Sequence, residues 1–234
     1  MVIQPRADIL NSLLVNKKQI ETINMSQIKN IIIAVLGLAV GTVAAKAAIS
    51  GTPHDMSGKG WGTTELCKFC HTPHSAQNVS GAPLWNHQST SKSYTLYTSA
   101  TFDPNGGLTI GQPGPQSKLC LSCHDGTVAN DSFANAGVLQ TGTHFMTSSN
   151  LIGGSGTLAY DHPIAFTYNG ALASSAKHLN TPVSASWVDA GQTLPLYAGK
   201  LECATCHAVH DNTYTKFLRV SNAGSAMCMT CHTY

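Results

Sequence analysis

Cys67-Lys68-Phe69-Cys70-His71 decides the reading of this chain, because the same form returns three more times, at Cys120 to His124, Cys203 to His207 and Cys228 to His232. Cys-x-x-Cys-His is the sequence form of covalent c-type haem attachment. Two thiols at that spacing add across the two vinyl groups of one porphyrin, and the histidine that follows swings under the iron as an axial ligand. Cys-x-x-Cys pairs also build tetrahedral zinc sites, but zinc gives no reason for a histidine directly after every pair. The expectation is four haem c groups, held by Cys67 and Cys70, Cys120 and Cys123, Cys203 and Cys206, and Cys228 and Cys231. His71, His124, His207 and His232 are the proximal iron ligands of that reading. These motifs use all 8 cysteines, so none is left for a disulfide, a catalytic thiol or a lipid anchor.

Haem c is attached on the outer side of a membrane, so an export signal is expected. Asn24-Met25-Ser26-Gln27-Ile28-Lys29 leads into an apolar run from Ile31 to Ala45 and then Ala45-Lys46-Ala47, an A-x-A cleavage form. That run is short for a span that must cross about 30 Å of hydrocarbon. Residues 25–47 therefore read as a cleaved signal peptide, with the mature chain beginning at Ala48 and no membrane segment after cleavage. Residues 1–24 read as a doubtful upstream extension, with Met25 as the start. The chain has 13 basic and 11 acidic residues, and removal of the leading segment leaves 8 and 9, a net charge of −1 with neutral histidines. Nothing in that balance supports binding to nucleic acid.

The remaining 187 residues give fewer than 50 for each haem, too few for an ordinary apolar core around each one. The fold class expected is a multihaem cytochrome c, a mostly irregular chain with short helices wrapped around a stacked haem core and little or no sheet. Turn-forming stretches such as Asp103-Pro104-Asn105-Gly106-Gly107 and Gly153-Gly154-Ser155-Gly156 break up the sequence. Leu108-Thr109-Ile110 alternates but is too short for a strand assignment. An internal repeat divides the chain into a first dihaem module, 48–130, and a second, 131–234, with a long N-terminal insert. The first runs from Cys67 through His74 and Pro83-Leu84-Trp85 to Cys120. The second runs from Cys203 through His210 and Phe217-Leu218-Arg219 to Cys228.

Seven histidines lie outside the motifs, and four are needed if every iron carries two. His74 and His210 each follow a proximal histidine by three residues, which on one helical turn puts both rings on one face and aims the second at a neighbouring iron. His54 and His162 precede the first motif of their modules on turn-rich loops, where Asp55 and Asp161 are placed to orient the rings. His87 is a reserve ligand, and His144 and His178 read as solvated loop residues. Methionine is the competing sixth ligand and raises the reduction potential, but histidines are in surplus.

Cys67 to His74 followed by Pro83-Leu84-Trp85-Asn86, Cys120 to Val128, Asp161-His162-Pro163 and Phe217-Leu218-Arg219 together resemble multihaem cytochromes c of the doubled Cys-x-x-Cys-His type. Within that family, length, export signal and four motifs are similar to secreted tetrahaem cytochromes that polymerise into extracellular nanowires, although periplasmic tetrahaem carriers share the same motifs. The narrower resemblance implies haems stacked edge to edge along a homopolymer, with a histidine donated across the subunit boundary. His74 is the position that best matches such a donor. The function expected is electron transfer between redox partner proteins or to an extracellular acceptor, with no substrate chemistry. Its rivals are a monomeric periplasmic carrier and a multihaem reductase, which needs an iron with an open position.

Overall fold

Each Cys-x-x-Cys-His run closes one turn of helix. The histidine N–H donates to the carbonyl of the first cysteine, at 2.8 Å from His71 to Cys67, 3.1 Å from His207 to Cys203 and 2.9 Å from His232 to Cys228. The remaining run ends helix α1, Pro115–His124. Pro115 suits the first turn because its missing N–H would have no partner there. Thiols three residues apart on such a turn share one face, which is the local reason for the spacing.

A computed structural model describes residues 49–99, 102, 110–147, 150–176 and 178–233. The upstream extension, the signal segment with its cleavage site, Asp103 to Gly107, and Leu108 and Thr109 lie outside the described residues. The chain divides into residues 1–46 and 47–234, and both halves of the sequence repeat fall in the second unit. The expected modules are bonded to each other within it: Ser117 of the first donates to the carboxylate of Glu202 in the second.

Regular structure beyond the motifs is sparse. Strands β1, Gln77–Val79, and β2, Ala82–Trp85, form an antiparallel hairpin, as do β3, Ala134–Asn135, and β4, Val138–Leu139. Ala136 and Gly137 link the latter pair with φ of 50° and 79°, the doubly left-handed turn whose twist suits a two-residue connection. Strand β5, Phe166–Thr167, pairs with β8, Lys200–Leu201, and β6, Trp187–Asp189, with β7, Thr193–Pro195. Helix α2 is Gly170–Ala176, α3 is Cys203–Cys206 and α4 is Ala226–Cys231. The strands number eight among the described residues, in four two-stranded ribbons, where the sequence supported no strand assignment. Each strand is two to four residues long, too short to show alternation, and the β5–β8 pairing joins distant parts of the chain.

Phe166, Tyr168, Leu172, Val188, Leu194, Leu196 and Leu201 form a buried apolar cluster with Cys231, so the fourth motif rests on a core made by β5, α2, β6, β7 and β8. A smaller cluster of Tyr94, Leu121 and Leu158 backs α1. Among the described residues no helix is long and apolar enough to cross a membrane.

Candidate haem-binding site

Every motif is clamped by a backbone segment lying against it. At the first, Thr72 N–H donates to Leu84 at 2.9 Å and Asn86 N–H to Cys70 at 2.9 Å, while the His71 ring nitrogen Nδ1 stands 2.9 Å from the Pro83 carbonyl. The third motif repeats all three bonds: Ala208 N–H to Phe217 at 2.8 Å, Arg219 N–H to Cys206 at 2.9 Å, and His207 Nδ1 to Lys216 at 2.9 Å. Even the backbone strain is repeated, with Leu84 at φ 57° and Phe217 at φ 56°, a region that bulky side chains rarely adopt. At the second motif Ile152 N–H donates to His124 at 2.7 Å and His124 Nδ1 meets the Asn150 carbonyl at 2.8 Å. At the fourth, Asn180 N–H donates to Cys231 at 2.8 Å and Thr233 N–H to His178 at 2.9 Å.

A carbonyl can only accept, so the proton of His71, His124 and His207 sits on Nδ1 and leaves Nε2 bare for a metal. His162 is held the same way, its Nδ1 donating to Pro163 at 2.9 Å.

The structure brings three of the expected distal histidines close to proximal ones. Ring centres are 5.9 Å apart for His71 and His210, 6.2 Å for His54 and His124, and 6.4 Å for His162 and His232. Two imidazoles on opposite sides of one metal, at metal–nitrogen distances of about 2.0–2.1 Å, have centres roughly 6 Å apart. His54 also stacks on Phe217, with centres 4.5 Å apart and planes 14° apart. Burial pushes the His54 pKa down to about 4, and the neighbouring charges of His124, His207 and His210 push the same way. The ring is therefore neutral at ordinary pH, the form that binds metal. Burial, followed by the charge of His162, lowers His232 as well.

His207 has no histidine ring facing it among the described residues. His74 is exposed on the wall of a cleft of about 460 Å³ that Cys67 and His71 also line, so the space beside the first motif is not filled by protein. No three His, Cys, Asp or Glu side chains converge among the described residues as a closed tetrahedral site would need. Paired rings with pinned Nδ1 atoms, thiols on one face and open space beside them fit haem c.

Two expectations for supporting groups need correction. The Asp55 carboxylate does not orient His54; it accepts from Gly51 N–H at 2.8 Å, Ser57 N–H at 3.1 Å and Ser57 Oγ at 2.5 Å, closing its own loop. The His162 proton goes to the Pro163 carbonyl rather than to Asp161. His87, the reserve ligand, is buried with its ring nitrogens on the carbonyls of Gln88 at 2.8 Å and Ala129 at 3.1 Å, so it ties loops together. His144 is more than a solvated loop residue, because its Nδ1 meets Asp131 at 2.7 Å and its ring stacks on Trp61 at 4.7 Å. The carbonyls of Pro83, Asn150, Lys216 and Pro163 escaped the sequence reading, since a backbone acceptor has no residue signature. The matched Pro83-Leu84-Trp85 and Phe217-Leu218-Arg219 stretches were the trace of two of them.

The protein-family model described as a doubled CXXCH motif matches residues 195–234, which hold the third and fourth motifs. This match supports a multihaem protein similar to c-type cytochromes, and CXXCH motifs imply covalently bound haem c. No curated protein matches the chain.

Proposed function

We propose that this chain transfers electrons through four covalently attached haem c groups, each with two histidine ligands, and that it does so as the subunit of a secreted, extracellular filament. The observation that carries the transfer reading is the set of three histidine pairs about 6 Å apart, each with one ring whose Nδ1 meets a backbone carbonyl: His71, His124 and His162. Haem c supplies a one-electron iron couple whose potential follows its axial ligands and surroundings. The chain's own residues fix the rest. The cysteines set where each group is held, the clamping carbonyls set the tautomer and ring direction, and Phe217 holds the plane of His54. With two protein ligands on an iron, no coordination position is left for a substrate, so an electron carrier is favoured over an enzyme.

The filament reading draws support from the third site. His207 lacks a facing ring among the described residues, and His74 stands exposed. A His74 supplied by a neighbouring copy would complete it, a heterologous contact that continues into an open polymer when the rotation does not close. A monomeric periplasmic carrier remains the alternative assembly. A reductase needs an exchangeable position, and His207 is where this chain would place one.

The test is intact-mass spectrometry of the exported protein together with its absorption and EPR spectra. Four haem masses on a chain starting near Ala48, all low-spin, is the expected result. Three haems or bound zinc would overturn the four-haem reading. One high-spin iron in the assembled protein would favour the reductase.

A further inference from the structure

We propose that Arg219 raises the reduction potential of the haem at the third motif, by fixing against the Cys203–Cys206 turn a positive charge that no carboxylate balances. The inference rests on the haem-transfer reading above and deepens it by naming a residue that tunes one of the four groups.

The repeat singles the residue out. Asn86 and Arg219 hold the same place in their modules, two residues after the strained Leu84 and Phe217, and each donates its backbone N–H to the carbonyl of the second cysteine, Cys70 or Cys206, at 2.9 Å. Their side chains reach matching points as well. Asn86 Nδ2 donates to the Lys68 carbonyl at 2.5 Å and Arg219 Nε to the Ala204 carbonyl at 2.6 Å, in both cases the residue directly after the first cysteine. A neutral amide makes that bond at the first motif, so the clamp itself does not require a charge. At the third motif the chain makes it with a guanidinium, which keeps its proton across the working pH range.

The charge is held in place. Arg219 Nη2 donates to Tyr197 Oη at 2.9 Å, and Tyr197 Oη lies 3.4 Å from the same Ala204 carbonyl, closing a three-cornered contact. Tyr197 is anchored in turn by paired backbone bonds with Lys200, at 2.9 and 3.0 Å, across a turn in which Ala198 and Gly199 both have positive φ. Arg219 is half-buried, and among the described residues no acidic side chain forms an ion pair with it. Glu202, just before the third motif, spends its carboxylate on Ser117 and the Gly114 N–H. The cation of the first motif is balanced, because Lys68 pairs with Glu65 at 3.7 Å. Uptake of one electron from a one-electron donor makes an iron site one charge more negative, with no atom exchanged, and a fixed cation favours that state. At separations on the order of 10 Å and an effective dielectric constant of about 20, a unit charge shifts such an equilibrium about tenfold, which is about 59 mV for one electron. The competing role is a staple that only holds the turn, the role Asn86 fills at the first motif.

The experiment is a spectroelectrochemical redox titration of the exported protein, wild type against Arg219→Gln, Arg219→Asn and Arg219→Lys, on material shown by intact mass to carry four haems. Glutamine and asparagine keep a donor without the charge, and lysine keeps the charge without the planar fork. In the neutral variants one of the four one-electron steps should move to lower potential, its reduced-to-oxidised ratio falling about tenfold at a fixed potential and more than that of the other three. In Arg219→Lys that step should stay near its wild-type position. No shift in the neutral variants, or the same shift in the lysine variant, overturns the charge role and leaves a staple. Loss of haem from both neutral variants but not from Arg219→Lys also marks a folding role and overturns the proposal. Fewer than four haems in the wild type overturns the parent reading instead.

Discussion

Asp125, the residue directly after the second proximal histidine, is 3% exposed and accepts from Tyr94 Oη at 2.6 Å, Thr90 Oγ1 at 2.8 Å, Thr127 N–H at 2.7 Å and Thr127 Oγ1 at 2.6 Å. Burial works to raise its pKa, but the hydrogen bonds from Thr127, Tyr94 and Thr90 prevail and hold it below the ordinary carboxylate value. A group depressed in this way contributes stability above its unfolded pKa of about 3.9 and loses it as pH falls through the folded value. Tyr94→Phe should cost about 1.5–3 kcal/mol near neutral pH, the worth of a hydrogen bond to a charge. In denaturant titrations the gap from wild type should narrow below about pH 4; an equal gap at both pH values would mean that the carboxylate charge is not involved. At the proposed ligand positions, His210→Met and His162→Met should each move one haem to higher potential in a redox titration, because thioether ligation raises it. A variant with an unchanged titration loses its place as a ligand.

At the scale of elements, the second and third motifs are joined by a polar contact between α1 and α3. Glu202 is buried, caps α3 reciprocally with Thr205, and reaches Gly114 N–H at 3.2 Å and Ser117 at the start of α1. A side chain on Gly114 would strike the Glu202 carboxylate, although the backbone there, at φ −71°, suits any residue. Gly114→Ala should therefore destabilise by about 1–3 kcal/mol through overpacking. Gly58→Ala meets nothing within 4 Å and should stay within about 0.5 kcal/mol of wild type. Thermal melts of both variants check the pair. Equal stabilities would show that α1 and α3 can slide apart without loss.

For the molecule as a whole, the prediction concerns assembly. His74→Ala removes an exposed ring, so the fold and the four Cys-x-x-Cys-His motifs should survive. If His74 completes the third site of another copy, the variant should be exported with four haems, remain monomeric in sedimentation, and show one perturbed or high-spin iron by EPR. Filaments of normal appearance and spectrum from this variant would reject His74 as the bridging ligand. A monomeric wild type would favour the periplasmic carrier.

The four Cys-x-x-Cys-His motifs were legible in the sequence because each is written in five consecutive residues, and a single helical turn suffices to bring its thiols to one face. The repeat was legible for a similar reason, and it named the stretches that clamp the first and third motifs. The ribbons were not, because strands of two to four residues are held by turns and distant partners. Nor could the sequence alone settle that His210 lies beside His71, that His54 lies beside His124, or that His87 is buried between carbonyls. A Cys-x-x-Cys-His turn is a local property of the chain, whereas a histidine pair is a distance between residues far apart in it. Only the packing of the clamps, the Glu202 contact and the core beneath the fourth motif sets that distance.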